Sequence, residues 1–355
     1  MTQVTEPLLR VEGLRVEFNL ARGVLRAVDG ASFEVRPGEA LGIVGESGSG
    51  KTMALRALVG LLPPAASVTG GTVEIDGVDV TAASEGQRRE LRGRTVSMIF
   101  QEPMTALNPV MRVGEQIAET PLVRLGLSRR AARGRALELM SLVGIPDPKR
   151  RSRAYPHELS GGLRQRVMIA IALSADPKLI LCDEPTTALD VTIQDQILKL
   201  LGALQRDLGV ALVFVSHDLA VIAQTCTRVA VMYAGQVVET GTVDAVFHEP
   251  RHPYTLGLLR SVPDFDSVRD RLSSIPGAPP DLALPPAGCR FHPRCPFVQD
   301  DCVGAPIPLI DLRADGIEPV SDPGGVRHLS ERATRCLYHE RCAEDARREP
   351  VVARA

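Results

Sequence analysis

Apolar and polar residues alternate along the first part of the chain. The stretches LLRVEGLRVEF and VDGASFEV, between residues 8 and 40, repeat with a period of two and end at Pro37-Gly38. Such alternation predicts half-buried antiparallel strands. Further on, four short runs are almost entirely apolar, which is typical of strands buried on both faces. They are LGIV from residue 41, VSMIF from residue 96, LILC from residue 179 and VALVFV from residue 210.

Between these runs the apolar spacing becomes helical. Residues 115 to 143 combine a helical period with an exposed, Arg-rich face. A later apolar stripe predicts a helix that packs against a core. Its members are Ile193, Ile197, Leu200, Leu201, Leu204 and Leu208. Because buried strands alternate with helices, the pattern predicts a large α/β core.

Length and composition describe an ordinary globular protein. The chain has 355 residues, of which 44% are apolar and 24% are charged, so it suits an α/β core with additions. A formal net charge of -2 does not favour nucleic acid as a partner. The opening MTQVTEPLLR has no cationic segment followed by an apolar one, so we expect no secretory signal. We therefore expect a cytosolic protein whose contact with a membrane comes through a partner.

A glycine-rich turn follows the first fully apolar strand. Its sequence, GESGSGKT at residues 45 to 52, matches the P-loop pattern GxxxxGK[ST] and has a strand before it and a helix after it. Gly45, Gly48 and Gly50 allow backbone N-H groups to point at phosphate oxygens, and Lys51 adds a positive charge. Only four Lys accompany 37 Arg, so a Lys here indicates a compact point charge. The alternative is a chance glycine turn.

Polar side chains follow three of the buried strands. Asp183 suits a water-mediated Mg²⁺ partner of Thr52, and Glu184 suits a base that orients an attacking water. Gln101 follows VSMIF and His217 comes soon after VALVFV, at the carboxyl ends where α/β proteins bind ligands. The alternatives are structural: an acid that caps the next turn, an amide that solvates a loop, and a histidine that only packs.

Two further places could contact a nucleotide. Phe18 lies on the strands before the P-loop and could stack on a base, although a half-buried strand aromatic fits equally well. Ser160, Gly161 and Gly162 open a helix and could bind an anion through a hydroxyl and backbone N-H groups. By themselves these three residues favour a simple helix cap.

The seven Cys are placed unevenly. Cys182 lies within an apolar run and is interpreted as a core residue. Between Ile275 and Pro296 there are seven Pro, which predict an extended path over the domain surface. In a reducing compartment the late Cys favour a metal or redox site over disulfides, but their spacing is not the short one of zinc ribbons. The late Cys are Cys289, Cys295, Cys302, Cys336 and Cys342.

Taken in order, six segments resemble the motif set of the ATP-binding cassette (ABC) family, across residues 18 to 217. They are GESGSGKT, Gln101, LSGG, LILCDE, TALD and His217. The resemblance implies a P-loop NTPase fold: a RecA-like core with an antiparallel β subdomain, an inserted α-helical subdomain and, after them, a Pro- and Cys-rich C-terminal extension. The expected boundaries are 1-100 and 178-245 for the core, 101-177 for the helical subdomain with the signature motif, and 246-355 for the extension.

This resemblance also implies a role for each site residue. Phe18 stacks on adenine, Asp183 supports Mg²⁺ and Glu184 is the catalytic base. Gln101 senses Mg²⁺ and the attacking water, and His217 contacts the γ-phosphate of ATP. The phosphates and Mg²⁺ are held by the P-loop residues Gly45, Ser47, Gly48, Ser49, Gly50, Lys51 and Thr52.

In the family, the loop that resembles Ser160 to Gly162 binds the γ-phosphate held on the opposite subunit. Two cassettes then close face to face with ATP between them. Because this chain carries one motif set, the resemblance implies a partner ATPase, usually a related and non-identical chain.

Longer segments resemble the ATPase subunits of bacterial oligopeptide and dipeptide importers. They are FQEPMTALNP at 100-109, YPHELSGGLRQRV at 155-167, HPYTLGLL at 252-259 and GCRFHPRCPF at 288-297. The resemblance implies a peripheral location on the cytoplasmic face of the inner membrane, two permease partners and, indirectly, a solute-binding protein. It also implies a [4Fe-4S] cluster on Cys289, Cys295, Cys302 and Cys336. Cys342 is another candidate ligand, and Zn²⁺ is the alternative metal.

We therefore expect a subunit that hydrolyses ATP to energise peptide uptake. The alternatives are a soluble ABC ATPase acting on nucleic acid or ribosomes, an importer of a related cargo such as nickel, and a degenerate cassette that binds ATP without hydrolysing it. The single cassette and the net charge of -2 weigh against the first alternative. Glu184 and His217 weigh against the last.

Overall fold

The computed structural model describes residues 6–21, 23–187, 189–262, 274–313, 316–319 and 332–348. The strands in these ranges are β1 (Leu9–Leu20), β2 (Gly23–Val35), β3 (Ala40–Val44), β4 (Ala66–Ile75), β5 (Val78–Asp79), β6 (Val96–Ile99), β7 (Leu179–Asp183), β8 (Ala211–Ser216), β9 (Arg228–Tyr233), β10 (Gln236–Thr242), β11 (Ile310–Arg313), β12 (Gly316–Pro319) and β13 (Ala333–Thr334). The α-helices are α1 (Lys51–Leu58), α2 (Glu85–Arg94), α3 (Pro103–Ala106), α4 (Val113–Arg124), α5 (Arg129–Leu142), α6 (Pro148–Arg151), α7 (Gly161–Ala172), α8 (Val191–Leu208), α9 (Leu219–Thr225), α10 (Val243–His248), α11 (Pro253–Arg260) and α12 (His339–Arg348). One-turn 3₁₀ helices occur at Pro156–Glu158, His292–Arg294 and Asp300–Cys302.

The chain divides into two compact units. Unit 1 comprises Met1–Leu8, Val35–Ala40 and Ile75–Val215, and unit 2 comprises Leu9–Glu34, Leu41–Glu74 and Ser216–Ala355. Both units draw on separate stretches of sequence, so neither corresponds to one continuous segment. The division into core, helical subdomain and extension at the boundaries given above stays a prediction.

Unit 1 contains three parallel strands and a group of helices. β6 pairs with β7 and β7 with β8, and their residues are largely buried. The uniformly apolar runs are therefore confirmed as buried strands. α4, α5 and α7 pack on one another. The helical pattern of residues 115 to 143 is divided into α4 and α5, because the chain turns at Gly126, whose φ is +65°.

Unit 2 carries a second group of paired strands. β3 pairs with β9 in parallel, and β9 pairs with β10 in antiparallel fashion. β13 then adds to β10, with Glu239 opposite Thr334, and β11 and β12 follow beyond it. In the smaller sheet β2, β1 and β4 lie side by side. The late part of the chain therefore extends the sheet of this unit through backbone hydrogen bonds.

The helices in the described ranges are either too short or too polar to cross a lipid bilayer.

Candidate nucleotide site and cysteine cavity

The glycine-rich turn lies in unit 2 between β3 and α1. Gly45 has a φ of +153°, and a Cβ there would lie 2.1 Å from the carbonyl oxygen of Met232. Gly50 has a φ of +99°, and a Cβ there would lie 2.2 Å from the carbonyl oxygen of Ala27. The turn thus requires glycine for its backbone conformation and for its close contact with neighbouring strands.

Lys51 is the first residue of α1 and is 5% exposed. Its Nζ donates to the carbonyl oxygens of Gly45 at 2.7 Å and Glu46 at 3.0 Å. The ammonium group is therefore held inside the loop, where it adds charge to the N-terminus of the helix.

The other predicted P-loop residues differ in exposure. Ser47 and Gly48 are exposed, Ser49 is buried and Thr52 is half-buried. Gly50 is the N-cap of α1. The N-H groups at the start of a helix are the usual donors to phosphate oxygens.

In unit 1, the structure brings Gln101 and Glu184 together. β6 and β7 are parallel neighbours with Ile99 opposite Cys182, so the residues after the two strands meet at one edge. Gln101 Nε2 donates to Glu184 Oε2 at 3.2 Å, and Thr187 Oγ1 donates to the same oxygen at 2.9 Å. Two donors therefore orient one carboxylate oxygen.

The backbone at Glu184 is strained. Its φ is +45°, a left-handed conformation that costs a residue with a side chain about 1–2 kcal/mol. Its N-H donates to the carbonyl oxygen of Val215 at 3.1 Å, which anchors the strained residue to the next strand. Such strain is concentrated at functional sites. Asp183, one residue earlier, is 1% exposed.

The oxygen donors among the predicted residues suit Mg²⁺. Asp183 offers a carboxylate, Thr52 a hydroxyl and Gln101 an amide oxygen, which are the hard ligands that this ion prefers. A carboxylate buried as deeply as Asp183 requires cations or hydrogen-bond donors around it. Each of these groups is therefore chemically suited to the metal that the sequence predicts, and the site itself stays a prediction.

Ser160 caps α7. Its Oγ accepts from the N-H of Leu163 at 3.4 Å, and Ser160 and Gly161 are exposed. A Cβ on Gly162 would lie 2.7 Å from Cγ2 of Ile193, so packing against α8 requires glycine at this position. The interpretation as a helix cap is confirmed, and its role toward a second nucleotide stays a prediction.

The remaining predicted nucleotide contacts lie in unit 2. Phe18 is half-buried on β1, and His217 is exposed just after β8. Their contacts with adenine and with the γ-phosphate stay predictions. Ala188 of the TALD segment lies outside the described residues.

Four late cysteines line one cavity in unit 2. Cys289, Cys295, Cys302 and Cys336 line a small cavity of about 10 Å³ together with neighbours that include His252. All four are free thiols. The N-H of Cys289 donates to the carbonyl oxygen of Cys302 at 2.9 Å, which holds two of the loops together. Cysteines that lie far apart in the sequence thus line one cavity.

The fifth late cysteine lies elsewhere. Cys342 is fully buried on α12 and packs in an apolar cluster with Leu256, Ala346 and Phe297. Burial raises the pKa of its thiol well above the usual value. Cys342 therefore packs in the core, whereas Cys336 lines the cavity; which of the two is a ligand stays a prediction.

In the described ranges, no three His, Cys, Asp or Glu side chains are placed to hold one metal ion. Burial raises the pKa of Cys289 and raises that of Cys295 to about 11, so thiolates here require a positive centre. A four-iron cluster bound by Cys thiolates would be such a centre, and its presence here stays a prediction.

Sequence reasoning misses two residues of these sites. Thr187 supports Glu184 from three positions further on, a separation that a turn after the strand could have suggested. Glu46, within the P-loop, pairs with Arg294 across 248 positions. No local pattern indicates a contact over that separation.

Two regions of the chain match known families. Residues 28–187 match the ABC transporter family, and residues 238–302 match the C-terminal region of oligopeptide/dipeptide transporters. The second match begins on β10 and ends at Cys302, so it includes three of the four cavity cysteines.

Close relatives are similar over most of the chain. The dipeptide transport ATP-binding protein DppD of Escherichia coli K12 is 49% identical over 322 residues, which are 89% of this chain and 98% of that protein. The oligopeptide transport ATP-binding protein OppD of Bacillus subtilis is 50% identical over 301 residues, 84% of each chain.

Solved structures share the fold. The dimeric ATP-binding cassette MJ0796, in a post-hydrolysis state bound to ADP and Pi, has a TM-score of 0.60 and 27% identity over 66% of this chain and 98% of its own. The cbiO1 protein of Clostridium perfringens, part of the ABC transporter complex cbiONQ, has a TM-score of 0.59 and 28% identity over 68% and 91%.

Three features on this fold define an ABC-type ATPase: the P-loop, the buried strand β7 with two carboxylates at its end, and the capped helix α7 that begins within the LSGG segment. The predicted α/β P-loop fold is confirmed. The identity to DppD and OppD is more specific than the fold. The chain belongs to the family of ATP-binding proteins of dipeptide and oligopeptide ABC transporters.

Proposed function

We propose that the chain is the ATP-hydrolysing subunit of an ABC importer for dipeptides or oligopeptides. The observation that carries the proposal is the pair of hydrogen bonds to Glu184 Oε2 from Gln101 and Thr187. A carboxylate oriented by two donors at the end of a buried strand is placed to act as a general base. The strained backbone of Glu184 supports the same role, because strain persists where function requires it.

In the proposed reaction, Glu184 accepts a proton from water as the water oxygen attacks the γ-phosphorus. The bond between that phosphorus and the β,γ-bridging oxygen breaks, and ADP leaves. His217 contacts the γ-phosphate, and Phe18 stacks on the adenine. Lys51 and the N-H groups of the P-loop hold the phosphates.

Mg²⁺, when bound, neutralises charge on the phosphate oxygens. Thr52, Gln101 and Asp183 are its proposed oxygen ligands. In this proposal the Gln101 amide oxygen binds Mg²⁺ while its amide nitrogen donates to Glu184. Binding of Mg²⁺ with the nucleotide would therefore affect the position of Glu184.

A second cassette completes the proposed site. Ser160, Gly161 and Gly162 bind the γ-phosphate held by a partner ATPase, which is a related, non-identical chain. Closure of the two cassettes moves two permease subunits, since ATP favours the closed state by its differential affinity. The subunit is peripheral on the cytoplasmic face of the inner membrane, and a solute-binding protein delivers the cargo.

The cargo assignment rests on the relatives. DppD and OppD are named for dipeptide and oligopeptide transport, and the late part of this chain matches the region that characterises such transporters. We therefore assign short peptides as the cargo class.

Replacement of Glu184 by Gln tests the proposal. We expect ATP hydrolysis by the complete transporter to fall by at least about 100-fold, because the proton acceptor is lost. ATP affinity should stay within about twofold, because Gln preserves the shape and most hydrogen bonds. Phosphate release, nucleotide binding and uptake of a labelled dipeptide by cells are the measurements.

The matched control is Glu138→Gln, an exposed acid on α5 of the same unit. It should hydrolyse ATP and support uptake like the wild type. Unchanged hydrolysis in Glu184→Gln would remove Glu184 as the base. Loss of hydrolysis without any effect on dipeptide uptake would contradict the peptide assignment.

We also propose a [4Fe-4S] cluster on Cys289, Cys295, Cys302 and Cys336. Anaerobically purified protein should contain iron and sulfide, Cys336→Ala should lose both, and Cys342→Ala should retain both. If the wild-type protein contains zinc but neither iron nor sulfide, the cluster proposal is wrong and Zn²⁺ is the bound metal.

A further inference from the structure

The late part of the chain makes a direct contact with the phosphate loop. Arg294 lies in the 3₁₀ helix just before Cys295. Its Nη1 donates to Glu46 Oε2 at 2.8 Å, and its Nη2 donates to Glu46 Oε1 at 3.0 Å. The Arg294 side chain is 5% exposed, and that of Glu46 is 26% exposed. A bidentate pair with so little solvent is stronger and more directional than a surface ion pair.

A second residue holds the same position of the loop. Tyr254 lies on α11 and is fully buried. Its hydroxyl oxygen accepts from the backbone N-H of Glu46 at 2.7 Å. Glu46 is therefore held twice, by its carboxylate and by its backbone.

The two anchors are supported by a group of aromatic rings. The ring of Tyr254 lies 4.5 Å from that of Tyr233 and 5.5 Å from that of Phe291. The guanidinium of Arg294 stands over the rings of Tyr233 and Phe291 at 5.7 and 5.9 Å. Ring contacts and cation–π contacts restrict how these side chains move. The anchors are thus rigid with respect to unit 2.

Fixing Glu46 fixes the residues that hold phosphate. The carbonyl oxygen of Glu46 accepts from Lys51 Nζ at 3.0 Å and from the N-H of Ser49 at 3.2 Å. A shift of Glu46 therefore moves the lysine and the N-H donors of the loop. Displacements on this scale matter, because nucleotide binding depends on well-placed donors.

Charge adds a second effect. Glu46 places a carboxylate in the loop that binds the polyanionic end of ATP, and two like charges in a medium of reduced dielectric repel each other. Arg294 neutralises that carboxylate and holds it by both oxygens. Without the guanidinium, the negative charge of Glu46 opposes the nucleotide.

We propose that Arg294 and Tyr254 are positioning residues for ATP, through which the cysteine-bearing part of the chain sets the affinity of the phosphate loop. This inference rests on the proposed role of that loop. Phe291 and Cys295 line the cysteine cavity, so the same aromatic group adjoins both the cavity and the anchors of Glu46.

The test measures the dissociation constant of a fluorescent ATP analogue with Mg²⁺ on the full chain. Arg294→Gln should weaken binding about tenfold, since the carboxylate of Glu46 is then uncompensated. Adding Glu46→Gln in the same protein should restore affinity to within about threefold of the wild type. Rescue of this kind follows from charge compensation and not from packing alone.

Two further variants complete the design. Arg341→Gln removes an exposed arginine that stands over Phe297, and it should leave affinity within about twofold. Tyr254→Phe keeps the ring and removes only the hydroxyl acceptor, so it should weaken ATP binding about threefold. This variant tests the positioning role if Arg294→Gln does not fold.

Lys51→Ala distinguishes a failure of the positioning role from a failure of the nucleotide site itself. If Lys51→Ala loses ATP affinity and Arg294→Gln matches Arg341→Gln, the positioning role is wrong while the phosphate loop stands. If Arg294→Gln weakens binding and Glu46→Gln does not rescue it, charge compensation is wrong. If Lys51→Ala binds ATP normally, the proposed nucleotide site itself is wrong.

Discussion

Gly45 and Gly48 lie in the same loop and differ in their surroundings. Both have positive φ, but a Cβ on Gly45 would lie 2.1 Å from a carbonyl oxygen, whereas a Cβ on Gly48 would have no atom within 4 Å. The two positions therefore separate the cost of backbone conformation from the cost of a steric clash.

We predict different losses for Gly48→Ala and Gly45→Ala. Gly48→Ala should cost about 1 kcal/mol of unfolding free energy for its left-handed backbone. Gly45→Ala should cost about 2–4 kcal/mol, because overpacking against the carbonyl oxygen adds to the strain of its own positive φ. Urea unfolding of both variants measures the difference, and equal losses would contradict the predicted clash.

At the residue scale, sequence reasoning succeeds where a side chain follows an element that it predicts. Gln101 and Glu184 follow two buried strands, and they contact each other as parallel neighbours should. It fails where an interaction joins distant positions, as with Arg294 and Glu46. Leu208 is a smaller error: the stripe includes it, but α8 ends there and the side chain is exposed.

At the scale of elements, a buried acid joins β10 to the start of α11. Glu239 is fully buried, and its carboxylate accepts from the N-H groups of Arg251 at 2.7 Å and His252 at 2.9 Å. Burial raises the pKa of Glu239 from 4.5 to about 7. The strand and the helix are therefore connected by a group that titrates near neutral pH.

This shift predicts how stability depends on pH. The folded pKa lies above the unfolded value, so the contribution of Glu239 is complete below pH 4.5 and is lost as the pH rises through about 7. Between about pH 5 and about pH 8, the wild type should lose on the order of 3 kcal/mol relative to Glu239→Gln, which does not titrate. Urea unfolding of both proteins at several pH values measures this difference.

Titration of a neighbouring group does not alter the difference in stability between the wild type and Glu239→Gln. Burial lowers the pKa of His252 to about 3, which gives the opposite trend with pH, but this residue is present in both proteins. A difference between the two proteins that is independent of pH would contradict the raised pKa of Glu239.

The elements themselves are predictable to different degrees. Strands such as β7 are indicated by uniform apolar runs, and α8 by its stripe. The pairing of β13 with β10 is not predictable, because β13 has two residues, Ala333 and Thr334, and no periodicity. Its place depends on contacts with residues about a hundred positions earlier, which sequence patterns do not record.

At the scale of the whole molecule, Ser160 has two roles that can be measured separately: the cap of α7 and the proposed contact with a nucleotide on a partner chain. Ser160 and Ser128 are both exposed N-caps, of α7 and α5, and each accepts a backbone N-H. The two serines are therefore matched in local structure. They differ in the proposed contact of Ser160 with a nucleotide on a partner chain.

We predict that Ser160→Ala and Ser128→Ala each lower the unfolding free energy by about 1 kcal/mol through loss of the cap. Only Ser160→Ala should lower the ATPase rate of the assembled transporter, by several-fold, while ATP binding to the isolated chain is unchanged. Phosphate release by the purified complex is the measurement. Equal rates in the two variants would contradict a site shared between chains.

The addition of β13 to β10 has a consequence for synthesis on the ribosome. Thr242 ends β10, and 90 residues separate it from Ala333, which begins its neighbour. At ordinary rates of translation this interval lasts roughly 5–20 s. During that time one edge of β10 presents bare N-H and C=O groups, a template for incorrect pairing. The nascent chain therefore exposes an aggregation-prone strand edge after its nucleotide-binding motifs have already emerged.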